Sequence, residues 1–200
     1  MNGPFGGLSP RTEPDGEPRG LGLVLPGRAY SPSAPLLEFA RLALLQNGFA
    51  VQQVWWDSGS RPADADPNVW VGDQAAAALA AETVPPRRVV VVGKSLGARA
   101  TPYAAEHGFD AIWLTPLLVE PTVVAGIQAN SARQLLIGGS ADEFWDSEVA
   151  AGLVREGCEV MEIPGADHGL LVPDDASRSA SIHADVTRRM DAFLSGLKSA

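Results

Sequence analysis

Four consecutive valines, residues 89–92, run directly into the pentapeptide Gly93-Lys94-Ser95-Leu96-Gly97. A short run of β-branched apolar residues is typical of a strand that is buried on both faces of a parallel sheet. Glycine at the first and last positions of the pentapeptide permits a turn so sharp that side chains there would collide across it. The residues after the turn favour a helix, so the sequence predicts a buried strand, a tight turn and a helix in that order.

The spacing of the two glycines around Ser95 is also a chemical signal. A sharp strand-to-helix turn holds its central residue under strain and presents the side chain at the edge of the sheet, an arrangement called a nucleophile elbow. The tripeptide at positions 93–95 also matches the end of a phosphate-binding loop, but that motif needs a glycine where this chain has Arg88. The valines in between favour a strand, so the sequence favours a nucleophilic serine over a phosphate-binding loop.

A serine hydroxyl needs a base to take its proton, and histidine is the usual base. The chain has three histidines. His107 falls at the predicted end of the helix after Ser95, and His183 falls inside the predicted last helix, on its surface. His168 lies in a glycine-containing loop after a late predicted strand, from which it can reach the elbow. His168 is therefore the candidate base.

The acid that orients the base is expected where another strand ends, because the carboxyl ends of parallel strands meet at one edge of a sheet. Asp142 is the first acidic residue after the predicted strand at 133–138 and is the favoured candidate. Asp167 is adjacent to His168, and neighbouring residues rarely direct their side chains at each other. Further candidates for this acid are Glu143, Asp146, Glu148 and, after the preceding strand, Glu120.

The chain order serine, aspartate, histidine is the order found in α/β-hydrolases. Together with the segments 23–31, 93–97, 137–142 and 165–169, it makes the chain resemble a small α/β-hydrolase from residue 20 to about residue 196. The resemblance implies a three-layer α/β/α sandwich around a mostly parallel sheet. It also implies a serine hydrolase with Ser95, Asp142 and His168 as its triad, but it does not specify the substrate.

The loop that completes the oxyanion hole departs from the family pattern. Family members often have His-Gly in this loop, whereas this chain has Pro-Gly at positions 26 and 27. Because the hole is built from backbone N–H groups, the side chain at this position can vary. The resemblance implies one N–H from Leu96, the residue after the nucleophile, and the other from Arg28 or Ala29, with Arg28 favoured.

The rest of the chain alternates between predicted strands and helices, which indicates a parallel sheet with helices on both faces. Strands are expected at 20–25, 49–56, 89–92, 111–115, 133–138 and 159–163. Helices are expected at 35–46, 69–83, after Ser95, at 122–130, 147–156 and 176–197. We therefore expect six strands in one domain at 20–200, preceded by a flexible tail at 1–19. Residues 115–130 leave room for one helix, so we expect no cap domain, unlike in larger α/β-hydrolases.

Composition limits the partners and the compartment. A net charge of −9 argues against binding to nucleic acid or to anionic membranes. The one cysteine permits no disulfide within the chain, and we expect a cytoplasmic protein. No His or Cys spacing suggests a metal site, and we expect no cofactor. Residues 1–19 lack the apolar stretch of a signal peptide, and no apolar run is long enough to span a membrane. The oligomeric state is left open.

The substrate pocket is expected in the loops at the strand ends. The favoured lining residues are Tyr30, Thr115, Pro116, Leu117, Trp145 and Leu170, and the wider set adds Trp56, Leu118 and Phe144. Most are apolar, which suits an acyl group or an uncharged small-molecule ester, while an Arg28 side chain inside the pocket would favour an anionic substrate. Lys94 is expected to be solvated.

The sequence therefore predicts hydrolysis of a carboxylic ester or thioester through an acyl-enzyme on Ser95. Two different functions fit the same residues: a catalytically silent small-ligand binding protein with the same fold, and an acyltransferase that uses the same three residues.

Overall fold

The fold is built on one seven-stranded sheet, which a computed structural model describes over residues 7–197. The strands lie in the order β1-β3-β2-β4-β5-β6-β7, and all of them are parallel except β1. The strands are β1 Gly7–Leu8, β2 Gly20–Leu25, β3 Phe49–Trp55, β4 Val89–Lys94, β5 Asp110–Leu114, β6 Gln134–Gly139 and β7 Glu159–Ile163. Because β4 lies at the centre, its carboxyl end has strands on both sides.

Six α-helices cover the two faces of the sheet. They are α1 Pro35–Gln46, α2 Pro67–Ala80, α3 Thr101–His107, α4 Pro121–Ala129, α5 Ser147–Arg155 and α6 Ala176–Ser195. Helices α1 and α6 pack on one face, and α2 to α5 pack on the other. Alternate valines of β4 point to opposite faces, Val90 and Val92 into the first apolar layer and Val89 and Val91 into the second. This confirms the predicted three-layer α/β/α architecture.

Local sequence signals explain where several helices begin and end. Asp66, Asp146 and Asp175 accept hydrogen bonds from backbone N–H groups in the first turns of α2, α5 and α6. Gly108 ends α3 in a left-handed conformation with a φ of 64°. The segment after Ser95 differs from the prediction, because residues Ser95–Ala100 form 3₁₀ turns before α3 begins. Pro102, which has no N–H to donate, lies in the first turn of α3.

The strand count is seven rather than the predicted six, because the segment before residue 20 contributes an edge strand. Gly7 and Leu8 pair antiparallel with β3, and Thr12 forms a two-way bridge with Val51. These hydrogen bonds join residues 7, 8 and 12 to the sheet, and the flexible tail at 1–19 stays a prediction. The bonds are made by backbone groups, which leave little trace in side-chain periodicity. Residues 1–6 of the predicted tail and residues 198–200 lie outside the described part.

Within residues 7–197, no further domain is inserted into the connections at the carboxyl edge of the sheet, so no domain covers the end of β4. Between β5 and β6 the chain forms α4 and no cap, as expected. All six parallel strands end at this edge of the sheet, and the loops after β2, β5, β6 and β7 bring residues close to Ser95.

Candidate active site

Ser95 occupies the turn between β4 and the 3₁₀ segment in a strained conformation. Its φ is 52°, in the left-handed region that residues with side chains rarely adopt. The flanking glycines are required by space. A Cβ at Gly93 would lie 2.6 Å from the carbonyl oxygen of Gly97, and a Cβ at Gly97 would lie 2.2 Å from the carbonyl oxygen of Leu25. The turn therefore has the geometry that the glycine spacing predicts.

The three residues chosen from the sequence form one hydrogen-bonded chain. Ser95 Oγ lies 2.8 Å from His168 Nε2, and His168 Nδ1 lies 2.8 Å from Asp142 Oδ2. Asp142 is 4% exposed, and its other oxygen accepts a hydrogen bond of 2.9 Å from the backbone N–H of Phe144. The Phe144 ring meets the imidazole edge-on, with 5.0 Å between the ring centres. The imidazole is thus held on one ring nitrogen by the carboxylate, with the serine oxygen at the other.

Two loops place Asp142 and His168. Asp142 lies in a tight turn after β6, in which its N–H donates to the carbonyl of Gly139 over 3.1 Å. His168 lies in the loop after β7, and Asp167 shapes this loop by accepting hydrogen bonds from the N–H groups of Gly169 and Leu171. Asp167 therefore stabilises the loop that carries His168, and its carboxylate is bonded to backbone N–H groups and not to the imidazole.

The remaining candidate acids lie elsewhere or are engaged in different contacts. Glu143 and Glu148 are exposed, and Asp146 caps α5. Glu120 forms an ion pair of 2.8 Å with Arg99. Asp142 is the one of these five acids whose carboxylate contacts an imidazole.

The loop after β2 lies next to the serine. A Cβ at Gly27 would be 3.6 Å from Ser95 Cβ, so the backbone of this loop passes close to Ser95. A hydrogen bond anchors this loop to the segment after β3, since the Arg28 carbonyl accepts from Ser58 Oγ over 2.8 Å. Leu96, Arg28 and Ala29 all line the cavity in front of Ser95. Their roles as oxyanion donors, and the choice between Arg28 and Ala29, stay predictions.

A cavity of about 460 Å³ opens onto Ser95 and His168. It is lined by Gly27, Arg28, Ala29, Tyr30, Lys94, Ser95, Leu96, Arg99, Leu117, Glu120, Phe144, His168 and Gly169. Its volume is in the range of small-molecule sites. Of the six favoured lining residues, Tyr30 and Leu117 do line it, and so does Phe144 from the wider set.

The other four favoured residues, Thr115, Pro116, Trp145 and Leu170, are buried and do not belong to the lining of this cavity. Thr115 and Pro116 directly follow β5 and are buried. Trp145 packs on Gly138 and donates its indole N–H to Glu162 over 2.6 Å. Leu170 belongs to the apolar layer beneath α6. Closeness to a strand end places a residue near the site, but the direction of its side chain depends on packing.

Sequence reasoning missed two features of the cavity wall. Arg99 pairs with Glu120 and also donates to Asn68 Oδ1 over 3.3 Å, which places a neutralised ion pair beside the apolar lining. Lys94 was expected to be solvated, but it is 2% exposed, and desolvation lowers its pKa from 10.5 to about 8. Its position on a central strand, paired with Leu114 on β5, was the signal that could have indicated burial.

Residues 7–197 lack sites of two other kinds. Within this range, no group of three or more His, Cys, Asp or Glu side chains is arranged to hold a metal ion. No helix of the same range is both long and apolar enough to cross a membrane.

Comparison with known proteins identifies the fold. Neither a protein-family model nor a curated protein sequence matches the chain. Solved structures do match over nearly the whole length. An α/β serine hydrolase homologue from Coxiella burnetii is 18% identical, with a TM-score of 0.72 and 94% of each chain covered. Est1E from Butyrivibrio proteoclasticus, solved with bound ferulic acid, is 15% identical, with a TM-score of 0.71 and 94% of each chain covered.

A third match concerns the absence of a cap. XC6422 from Xanthomonas campestris, an α/β serine hydrolase without a lid, is 16% identical, with a TM-score of 0.62. The match covers 96% of this chain and 90% of that one. These likenesses confirm the predicted fold, a small α/β-hydrolase fold without a cap domain.

Proposed function

We propose that this cap-less α/β-hydrolase-fold chain is a serine hydrolase that cleaves a carboxylic ester or thioester. The observation that carries the proposal is the hydrogen-bonded chain from Asp142 through His168 to Ser95, with 2.8 Å at each step, at the mouth of a cavity. Nucleophile, base and orienting acid in that order are what acyl transfer through serine requires. The two α/β serine hydrolases among the similar structures support this reaction class.

Ser95 Oγ attacks the carbonyl carbon of the substrate while His168 Nε2 takes the hydroxyl proton. The imidazolium then gives this proton to the leaving alcohol or thiol, and an acyl group stays on Ser95. Water then attacks the acyl carbon while His168 Nε2 takes one of its protons. The imidazolium gives that proton to Ser95 Oγ as the acyl–oxygen bond breaks, which releases the acid and restores the serine. Asp142 holds Nδ1 protonated throughout, so that Nε2 faces the nucleophile as an acceptor.

The negative charge that develops on the carbonyl oxygen is stabilised by backbone N–H groups. In this proposal they belong to Leu96, at the start of the 3₁₀ segment, and to Arg28, in the loop that passes Ser95. Both residues line the cavity. The tether between Ser58 and the Arg28 carbonyl keeps that loop in place before substrate binds.

The cavity favours an uncharged substrate with a small apolar acyl group. Tyr30, Leu96, Leu117 and Phe144 provide the apolar lining, and the Arg99–Glu120 pair neutralises its own charges. Arg28 is exposed at the rim, where a charged substrate gains little from a screened cation. Est1E, which was solved with ferulic acid, supports a small-molecule ester as the substrate.

Labelling with a fluorophosphonate probe tests the proposal, because the probe reacts with a serine that has been activated by its base. We expect the wild type to be labelled and Ser95→Ala not to be labelled. We also expect Ser95→Ala to lose turnover of p-nitrophenyl esters by several orders of magnitude, on the order of 10⁴-fold or more. The melting temperature of Ser95→Ala should stay close to that of the wild type.

Different outcomes would point to a different function. A folded wild-type protein that is not labelled and does not turn over esters would overturn the proposal in favour of a silent binding protein. An acyltransferase would be labelled as well, but its product with added alcohols or amines would be the transferred acyl compound instead of the free acid. An optimum in a series of esters of increasing chain length would give the size of the acyl site.

A further inference from the structure

Lys94 is a buried cation directly next to the nucleophile in the chain. Its ammonium has three N–H groups to satisfy. Two of them donate hydrogen bonds of 2.9 Å, one to Thr115 Oγ1 and one to the backbone carbonyl of His168. On another side lies the Tyr30 ring, whose centre is 5.0 Å from Nζ. The ammonium is therefore held by two oxygen atoms and an aromatic ring, none of which carries a negative charge.

These contacts reach three different segments around Ser95. Thr115 follows β5, His168 belongs to the loop after β7, and Tyr30 belongs to the loop after β2 that also supplies Arg28. The aliphatic part of the Lys94 side chain also lies close to the loop after β2, since a Cβ at Gly27 would be 3.6 Å from Lys94 Cδ. One side chain thus touches the loop of the base and the loop predicted to complete the oxyanion hole.

The partner at the end of β5 is held in a rare conformation. Thr115 has a φ of 44°, which is a strong outlier for a β-branched residue, and it is fully buried. Its backbone N–H donates to Ile137 over 2.7 Å, so the strained residue is held by the neighbouring strand. Strain of this kind persists where the surrounding structure imposes it, and it is concentrated at functional sites. Here the strained threonine supplies the side-chain acceptor for Lys94.

The charged and titratable groups that face the ammonium come from the same segments. Asp142, in the turn after β6, and Asp167, in the loop after β7, favour the charged form of Lys94. Desolvation outweighs them and lowers the pKa of Lys94 to about 8, while burial raises the pKa of the Tyr30 hydroxyl. His168 faces Lys94 through its backbone carbonyl. The ammonium is therefore charged at neutral pH and loses its charge in mildly alkaline solution.

We propose that Lys94 is a positioning residue whose ammonium ties the His168 loop and the Tyr30–Arg28 loop to the end of β4, and that loss of its charge in alkaline solution lowers turnover. Charged hydrogen bonds are about twice as strong as neutral ones, and an uncharged amine also loses its attraction to the Tyr30 ring. Deprotonation therefore weakens the hold on both loops without breaking the fold. This role rests on the proposed function, since it acts through the base and the oxyanion loop.

The test measures kcat and KM for a p-nitrophenyl ester against pH in the wild type and three variants. Lys94→Met keeps the stem and removes the ammonium; we expect kcat to fall about tenfold or more with KM changed less than about threefold. Wild-type kcat should fall on the alkaline side with a midpoint near the lowered pKa of about 8. Lys94→Arg keeps a charge at all these pH values, so it should keep more activity than Lys94→Met and lack the alkaline fall.

Thr115→Val is the third variant, and it keeps the branched shape of the side chain while it removes one acceptor of the ammonium. We expect its kcat to fall a few-fold and its alkaline midpoint to move to lower pH, since the ammonium loses a partner. If Lys94→Met does not fold, as circular dichroism would show, this shift decides the matter, and an unchanged midpoint in Thr115→Val overturns the role. Wild-type kcat in folded Lys94→Met, or an unchanged alkaline fall in Lys94→Arg, also overturns it.

Fluorophosphonate labelling separates this role from the proposed function. If the wild type is labelled at Ser95 and Lys94→Met is labelled at the same rate from pH 7 to 9.5, the serine hydrolase stands and the role of Lys94 is overturned. Slower labelling of Lys94→Met, with the difference shrinking above pH 8, supports the role. Absence of labelling in the folded wild type overturns the proposed function and this role with it.

Discussion

The two ends of the sheet differ in the partners that they offer to buried polar side chains. At the amino end, Gln134 accepts a hydrogen bond from the Trp113 indole and donates to the carbonyls of Ile127 and Asn130. Asp110 at the same end pairs with Arg88 and accepts from the backbone N–H of residue 133. Each of these two buried side chains has partners matched to its charge or polarity.

The carboxyl end carries strain and a buried cation without a direct carboxylate partner. Ser95, Thr115 and Leu170 all have φ between 44° and 57° and all follow strands. Lys94 is buried against neutral acceptors, and Asp142 is buried against an imidazole. The difference indicates that the amino end contributes stability, whereas the carboxyl end gives up stability to hold reactive groups in place.

Asp142→Asn should show the largest effect of all, and this effect should be a loss of activity without a loss of stability. An asparagine keeps the acceptor for the Phe144 N–H but no longer stabilises the imidazolium or its tautomer. We expect kcat for ester hydrolysis to drop on the order of 10⁴-fold, with a melting temperature near that of the wild type. Glu143→Gln, the exposed neighbour, is the matched control and should keep wild-type kcat. A loss of less than about tenfold in Asp142→Asn would contradict the role of this carboxylate.

Burial of Lys94 should appear as a pH-dependent cost in stability. Its pKa is 10.5 in its ordinary environment and about 8 in the folded protein, so the unfolded chain binds more protons between these pH values. The free energy of unfolding of the wild type should therefore rise relative to that of Lys94→Met between pH 8 and 10.5, by about 3 kcal/mol. Urea unfolding of both proteins at several pH values measures the difference. A constant difference would show that burial does not disfavour the ammonium.

At the amino end, the expected loss is in stability and not in activity. Gln134→Leu removes the acceptor of the Trp113 indole N–H and one donor from each of two backbone carbonyls, which should lower the free energy of unfolding by about 1–3 kcal/mol. Gln128→Leu changes an exposed glutamine on α4 and serves as the control. In both variants kcat should stay within about twofold of the wild type, because neither side chain approaches Ser95. A large fall in kcat in Gln134→Leu would break the division between the two ends.

The smallest effect is expected for Asp110→Asn. The amide keeps an acceptor for the N–H of Arg133, and the pair with Arg88 is partly solvated on the arginine side. We expect the free energy of unfolding to fall by about 1 kcal/mol or less, and less at high salt, because water and ions reach the arginine side of the pair and screen it. Denaturant titration at low and high salt measures this change. A loss of several kcal/mol would mean that the ion pair at the amino end behaves as a desolvated one.

The strand–helix order of the chain and the strained serine could be predicted from the sequence because both depend on local patterns. Helix α1 and strands β2 and β7 have the expected bounds. The glycines around Ser95 report a steric requirement, which is a property of the turn itself. Edge strand β1 was missed because its pairing is made by backbone groups of a glycine-containing segment.

The cavity lining could be predicted much less well. Tyr30 and Leu117 reach the cavity, whereas Trp145 and Leu170 turn inward, although all four follow strands or lie in the loops after them. Apolar character is the same for lining and for core residues, so it does not separate them. Lys94 shows the opposite case, because a charged side chain that was expected to be solvated is buried.

By itself, the sequence determined the alternation of strands and helices, the elbow at Ser95 and the order in which Ser95, Asp142 and His168 follow their strands. These features depend on neighbours within a few positions along the chain, where spacing and steric limits act directly. The tertiary structure decided that the three side chains form one hydrogen-bonded chain, that Lys94 joins the loops around them and that Arg99 and Glu120 enter the cavity wall. Those contacts join residues between 21 and 74 positions apart, so they exist only once the sheet has brought the strand ends together.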